Sequence, residues 1–308
     1  MRLVLVAALC AIMPAAAVTR TVVVSVQDPL GNLIPNLRPE NFAVYEGGVR
    51  QGDVTADVQH ASITLAVLIE GGGRYQAVNK LLGTEVPYLI RPLADALMAD
   101  DKVGMFAYTD SVRPLTDFPQ AHPSLDAVAA GIPAPGFQEA KLFDAVATIL
   151  DRMGTVEGRK AVLLISSGID TFSHATFDQV LASAQRSGVP VYCVGLAGVV
   201  ERSIVGATGP IAKINWPRAK EQLKMLARSS GGRAYMRDTE LDVPAVYDDM
   251  MEHLRVRYVL TYASSGGDAG AGHVRVELVD PRTGVPLRVA DASGKRITPT
   301  IIVGHAGS

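Results

Sequence analysis

The chain has 308 residues, 48% of them hydrophobic and 19% charged, and its 29 Lys plus Arg stand against 31 Asp plus Glu for a net charge of −2. This excludes a disordered chain, because there is apolar material for a sizeable core, and with no net positive field it argues against a nucleic-acid-binding protein. At roughly 100 to 200 residues per domain, the length predicts one large domain with a smaller companion.

The chain opens Met1-Arg2, one positive charge, then runs apolar to Met13 and continues Pro14-Ala15-Ala16-Ala17. A charged start, a short apolar run and a small-residue end, in that order, are the marks of a secretory signal peptide, with cleavage expected after Ala17. Residues 1–17 are therefore read as signal, and the mature chain as periplasmic or secreted. No later segment is an uninterrupted run of about 18 apolar residues, so no membrane span is predicted. Cys10 would leave with the signal, and Ala7-Ala8-Leu9 ahead of it lack the small residue expected just before a lipidated cysteine. Cys193 then stands alone, which excludes an internal disulfide. Within Val191-Tyr192-Cys193-Val194 it reads as a small hydrophobe on a buried strand.

From residue 18 to 60 the text is strand-like. Val22-Val23-Val24-Ser25-Val26, the turn Asp28-Pro29-Leu30-Gly31-Asn32, and Phe42-Ala43-Val44-Tyr45 before Glu46-Gly47-Gly48 predict hairpins rather than helices. The pattern then changes. Ile63-Thr64-Leu65-Ala66-Val67-Leu68-Ile69 is continuously apolar and ends in glycines, as a strand covered on both faces should be. After it come a helix over 76–97, a strand over 103–107 and a short antiparallel edge at Tyr108-Thr109-Asp110-Ser111-Val112-Arg113. Next are a helix over 142–153, a strand over 161–165, a helix over 177–186, a strand over 189–194, and helices over 219–227 and 243–254. This alternation specifies βαβ units: a doubly wound, mainly parallel, Rossmann-like sheet with helices on both faces. Beyond a strand over 257–262 and a Gly/Ser/Ala stretch over 264–272, His273-Val274-Arg275-Val276-Glu277-Leu278-Val279 alternates polar and apolar residues, so its sheet should have one wet face. The two β-rich ends are expected to pack together as a small accessory β-domain.

The apolar strand ending in an acidic and glycine loop, the long helix after it, and the strand ending at Ser166-Ser167-Gly168-Ile169-Asp170 resemble the von Willebrand factor type A fold. Within it the chain is similar to the VWFA-related family of acidobacteria, over nearly all of the mature length. Asp28-Pro29-Leu30-Gly31, Leu37, Glu40-Asn41-Phe42 and Val44-Tyr45-Glu46-Gly47-Gly48 resemble that family's N-terminal segment. Leu142-Phe143-Asp144-Ala145 resembles its central helix start. Most specific are Leu226-Ala227-Arg228-Ser229-Ser230-Gly231-Gly232-Arg233-Ala234-Tyr235 and Glu252-His253-Leu254-Arg255-Val256-Arg257-Tyr258-Val259-Leu260-Thr261-Tyr262. The implied organisation is a signal peptide at 1–17, a β segment at 18–60, a type A domain at 61–262 and a C-terminal β segment at 263–308.

The resemblance implies a metal-ion-dependent adhesion site at the carboxyl ends of the strands, built from an Asp-x-Ser-x-Ser loop, a Thr from a second loop and an Asp from a third. Carried over by position, Glu70 replaces the first Asp, Gly72 the first Ser and Arg74 the second. Ala140 and Lys141 stand about where the Thr belongs, and Ser167 where the last Asp belongs. A hard cation wants several oxygen ligands, and two cationic side chains near the loop repel it. The expectation is a degenerate, metal-free site without a cofactor, in which either Arg74 takes the cation's place beside Glu70 or Arg74 faces solvent while backbone amides satisfy Glu70. Magnesium or calcium has a place only at a remodelled site using Glu70, Asp170 and Ser167. Asp170 and Asp110 share the rim, where exposed acids commonly act as caps.

Other chemistries are weaker. Gly71-Gly72-Gly73-Arg74 lies between strand and helix, where backbone N–H groups can hold phosphate, but it matches neither G-x-G-x-x-G nor the P-loop pattern. Ser166 or Ser167 with His174 and Asp170 suggests a secreted hydrolase, yet no G-x-S-x-G surrounds either serine. His60, His122, His253, His273 and His305 lack metal-ligand spacing. Trp216, the single tryptophan, sits in the segment 199–217 and is either a partner contact on a loop or part of the fold. The expectation is a non-catalytic adhesion or interaction module for a protein or cell-surface ligand.

Overall fold

The computed structural model describes residues 18–29, 34, 36–60, 62–118, 124–132, 138–238, 241–265, 273–290 and 295–304. Residues 1–17, for which a signal peptide is expected, residues 30–32 of the first turn, residues 266–272 of the Gly/Ser/Ala stretch, His122 and His305 lie outside the described residues. The chain divides into two compact units, one of residues 26–35 and 59–257, the other of residues 1–25, 36–58 and 258–308.

In the larger unit the sheet strands are β1 (Thr64–Glu70), β2 (Lys102–Tyr108), β3 (Val112–Thr116), β4 (Lys160–Ser166), β5 (Val191–Gly195) and β6 (Ala234–Met236). They lie in the order β3-β2-β1-β4-β5-β6. All neighbours are parallel except β3, which runs antiparallel to β2 at the edge. This is the doubly wound α/β architecture that the alternation predicts. Its order reverses between β1 and β4, whose carboxyl ends open the crevice where such sheets bind ligands.

Every residue of β1 is buried, because helices cover both faces. Leu65, Val67 and Ile69 point into one apolar cluster and Ala66 and Leu68 into the other, as the two-residue period of a strand requires. The helices are α1 (Gln76–Ala96), α2 (Leu125–Ala130), α3 (Leu142–Gly154), α4 (Phe177–Ser187), α5 (Ala197–Ser203), α6 (Trp216–Ser230) and α7 (Val243–Arg255). The first cluster takes Val78, Leu82 and Leu89 of α1 with Val246 and Met250 of α7. The second takes Val146 and Ile149 of α3, Val180 of α4 and Leu223 and Leu226 of α6.

Two expectations are corrected. Helix α6 starts three residues before the pattern suggests: Asn215 caps it by accepting from the Arg218 N–H at 3.0 Å, and Pro217 sits where a missing N–H costs nothing. Trp216 is therefore a helix residue, 5% exposed within the first cluster, and the partner-contact reading of its side chain fails because its indole is core. Short helices α2 and α5 and strand β6 were not foreseen; each is too short for hydrophobic periodicity to mark.

Among its described residues the smaller unit is built of strands, with one 3-10 turn at Pro39–Asn41. Val18–Gln27 pairs antiparallel with Val256–Ser264, in a register running from Val18↔Ser264 to Val24↔Tyr258. Thr300–Gly304 and Thr55–His60 flank this pair in one sheet. Phe42–Glu46 and Val49–Arg50 form the one local hairpin among the described residues of 21–57, through Gly47 and Gly48 at φ +56° and +85°, the two left-handed positions that a type I′ turn demands. Val274–Leu278 pairs on the other side of Phe42–Glu46, with Val276 and Leu278 buried and Val274, Arg275 and Glu277 more open. The first strand thus finds its partner at the far end of the chain instead of in a neighbouring hairpin.

Buried Asp101 accepts from the N–H groups of Ile63 at 2.9 Å and Met98 at 2.8 Å and pairs with the Arg255 guanidinium, which also donates to the Ala96 carbonyl at 3.1 Å. Asp101→Ala would leave a buried cation and two amides without their acceptor. It is expected to lower the unfolding free energy by about 3–5 kcal/mol, measured by urea titration, and Asp101→Asn by less.

Candidate functional site

Strand β1 ends on Glu70, and Gly71-Gly72-Gly73-Arg74-Tyr75 leads into α1. Gly72 has φ +135°, and a Cβ on Gly73 would come 3.2 Å from the Cβ of Ala140, so glycine lets this loop pass close against the next one. Buried Asn79 fixes the passage: its Oδ1 accepts from the Gly73 N–H at 2.7 Å and its Nδ2 donates to the Gly73 carbonyl at 2.8 Å.

Glu70 is 1% exposed. Its Oε2 accepts from the Ser167 N–H at 2.6 Å, the Ser166 hydroxyl at 3.0 Å and the Tyr108 phenol at 3.3 Å, and its Oε1 accepts from the Ser167 hydroxyl at 3.0 Å. Tyr108 Oη also lies 2.8 Å from Ser166 Oγ. The serine oxygens accept in turn, Ser166 from the Gly168 N–H at 2.9 Å and Ser167 from the Ile169 N–H at 3.3 Å. Burial pushes the Glu70 carboxyl above its ordinary value, opposed by the bonds from Ser167, Ser166 and Tyr108. Burial first, and then the Glu70 charge, raise the Tyr108 phenol well above its usual range, so it stays protonated and remains a donor.

The neighbouring loops are tied together above this carboxylate. The Ala140 N–H donates to Thr171 Oγ1 at 2.7 Å and the Thr171 N–H to the Ala140 carbonyl at 2.8 Å, while the Lys141 N–H donates to the Thr109 carbonyl at 2.8 Å. Asp170 caps α3, accepting from the Phe143 N–H at 3.1 Å and from Ser173 Oγ at 2.5 Å. Asp144 accepts from the N–H groups of His174 at 3.0 Å and Ala175 at 2.8 Å. Burial raises its carboxyl, but the bonds from Ala175 and His174 together outweigh that and hold it below the usual range.

Of the positions that the sequence singles out, the structure joins Glu70 and Ser167 directly and places Gly72, Ala140, Lys141 and Asp170 in the loops around them. Arg74 is elsewhere. Its guanidinium pairs with Glu139 at 2.5 Å, lies 5.1 Å from the Phe172 ring centroid and leaves the side chain 50% exposed. The idea that Arg74 substitutes for a cation beside Glu70 is therefore dropped: hydroxyls and one backbone amide serve the carboxylate instead. Two side chains that sequence reasoning did not assign to the site belong to it. Tyr108 stands directly beside Glu70 in the β1–β2 register, which aligning the two strand ends would have revealed. Phe172 is 69% exposed at φ +58°, a conformation with no sequence signal in a phenylalanine.

The residues present do not fit a divalent cation. Both Glu70 oxygens already take four donors, Asp170 is committed to α3, and glycine, arginine and alanine stand where hydroxyl ligands would be needed. The serine–histidine–aspartate grouping is not assembled either. Ser166 and Ser167 are buried against Glu70, and the His174 ring pairs with Asp144 at 3.0 Å. Nor is the glycine loop a phosphate cradle in this form, since the Gly71 N–H donates to the Tyr108 carbonyl and the Gly73 N–H to Asn79. Beside the site a cleft of about 370 Å³ is lined by Tyr75, Phe143, Asp170 and Thr171 together with Asn215 and Arg218 of the α6 start.

No family model and no curated protein matches the chain. Among solved structures it is similar to an aerotolerance-related membrane protein from Bacteroides fragilis, at 17% identity and a TM-score of 0.46, over 63% of this chain and 98% of that one. It is similar to BatB from Bacteroides thetaiotaomicron at 16% identity and 0.46, again over 63% and 98%. It is also similar to a von Willebrand factor type A protein from Catenulispora acidiphila, at 13% identity and 0.44, over 88% and 75%. The strand order and the antiparallel edge make the larger unit a Rossmann-like α/β domain.

Burial makes the folded Glu70 carboxyl bind its proton more tightly than the unfolded one, whose ordinary value is 4.5. The contribution is therefore largest below that value and is lost as pH rises through the folded pKa. Glu70→Gln cannot titrate, so the stability of the wild type minus that of the variant is expected to fall between acidic and mildly alkaline urea titrations.

Proposed function

We propose that the chain is an exported, non-catalytic interaction module that holds a protein or cell-surface ligand through the loops at the carboxyl ends of its sheet, with a degenerate adhesion-type site that takes no metal ion. The observation that carries this reading is the enclosure of Glu70 by Ser166, Ser167 and Tyr108. A carboxylate that would otherwise ligate a cation is spent on internal donors. Lys141 adds positive charge to the same rim, which disfavours a cation further, while the charge of Arg74 is taken up by Glu139. Loops held together by backbone bonds on a rigid sheet suit recognition, since little order has to be gained on binding. The signal-like character of residues 1–17 supports export.

Calorimetry and thermal melting of the mature chain with millimolar Mg²⁺, Mn²⁺ or Ca²⁺ are expected to give neither heat nor a change in melting temperature. Binding heat that disappears in Glu70→Ala would overturn the metal-independent reading and restore a remodelled site with Glu70, Ser167 and Asp170. Glu70→Ala also strands four donors, and is expected to destabilise the fold by about 1–3 kcal/mol or more.

A further inference from the structure

Phe172 combines two costs that a residue without a task would shed. Its ring stands largely in water, and its backbone takes a left-handed conformation that bulky side chains avoid unless the surroundings impose it. The surroundings do impose it. Thr171, on one side, exchanges two hydrogen bonds with Ala140, and Ser173, on the other, donates to Asp170 at 2.5 Å. Arg74, itself anchored on Glu139, stacks against the ring and restricts it further. The aromatic is thus held at the surface in a fixed pose.

Thr171 and Asp170 also line the adjacent cleft, together with Arg218. The Arg218 backbone N–H is used by the Asn215 cap, but among the described residues its guanidinium has no acidic partner. The one acid lining the cleft, Asp170, is committed to Phe143 and Ser173. Asp170 keeps its charge but spends its oxygens on those donors, so Arg218 brings to the mouth a guanidinium without an ion-pair partner among the described residues, a group that grips carboxylates with two parallel bonds. Its volume, about 370 Å³, is at the small end of ligand clefts and suits a side chain or two instead of a large cofactor. Aromatic residues and arginine are the types that dominate binding hot spots.

We infer that Phe172 and Arg218 form a two-point docking surface for a peptide segment of another protein, one that sets an acidic side chain against Arg218 in the cleft and an apolar neighbour against the Phe172 ring. This rests on the reading that the strand-end loops bind a protein ligand, and it names the partner's chemistry.

The test is selection of a phage-displayed library of random peptides on the full mature chain in EDTA. Synthetic copies of the enriched peptides are then titrated by fluorescence anisotropy into wild type, Phe172→Gly, Arg218→Glu and the rim control Lys141→Glu. Enriched peptides are expected to share Asp or Glu beside an apolar residue, and Phe172→Gly and Arg218→Glu should each weaken binding by about tenfold or more. Glycine is at ease at this φ, so Phe172→Gly should melt no lower than wild type, which separates lost binding from lost folding. Peptides that bind Phe172→Gly and Arg218→Glu like wild type but lose affinity for Lys141→Glu would overturn this surface and leave strand-end recognition standing. No enrichment, or binding indifferent to all three substitutions, would overturn both.

Discussion

A carboxylate placed at the end of the central strand, out of reach of water, must be given donors or it cannot stay charged. Glu70 occupies that place, at the point where the strand order reverses, and the ends of β1, β2 and β4 converge on it. Tyr108 closes one side from β2, and Ser166 and Ser167 close the other from β4. Both serines then have acceptor capacity left, which they spend on the N–H groups of Gly168 and Ile169. One buried charge therefore dictates the side chains at three strand ends and the path of the loop after β4.

That arrangement sets what the surface above it can do. Because Glu70 is satisfied from within, Arg74 is free to leave it, and the guanidinium goes outward to Glu139 and Phe172. The loops around 139–141 and 167–175 are joined by amide bonds to hydroxyl, carbonyl and carboxylate oxygens, and the Arg74–Glu139 ion pair ties 71–75 to them, with Asp170 and Asp144 serving the starts of helices and turns instead of facing solvent as free ligands. What the rim offers a partner is consequently shape, one aromatic ring and positive charge.

Much of the larger unit was legible in the sequence. A run such as Leu65-Ala66-Val67-Leu68-Ile69, uninterrupted by polar residues, has few alternatives to a strand covered on both faces, and the long helices announce themselves by apolar spacing. Positions were legible too: Glu70 and Ser167 do meet. Side-chain direction was not, because whether Arg74 turns in or out depends on Glu139, distant in sequence and unmarked by any motif. The helical setting of Trp216 went unread for a related reason. A cap by Asn215 and a proline at the second helical position define the α6 start, but they sit outside the periodic stretch that signals a helix. Tyr108 was visible only as the last residue of a strand until the β1–β2 register put it beside Glu70.

The pairing of Val18–Gln27 with Val256–Ser264 has a consequence for how the molecule is made. The strand that leads the described chain finds its partner only when Val18 meets Ser264 and Val24 meets Tyr258, so the donors and acceptors on that edge stay uncommitted until residues 258–264 have emerged. Phe42–Glu46 waits longer still for Val274–Leu278. Pairings of such wide sequence separation form slowly and leave strand edges open meanwhile. The β-rich unit is thus a late product of synthesis, vulnerable to wrong strand partners for as long as its two halves remain on opposite sides of the growing chain.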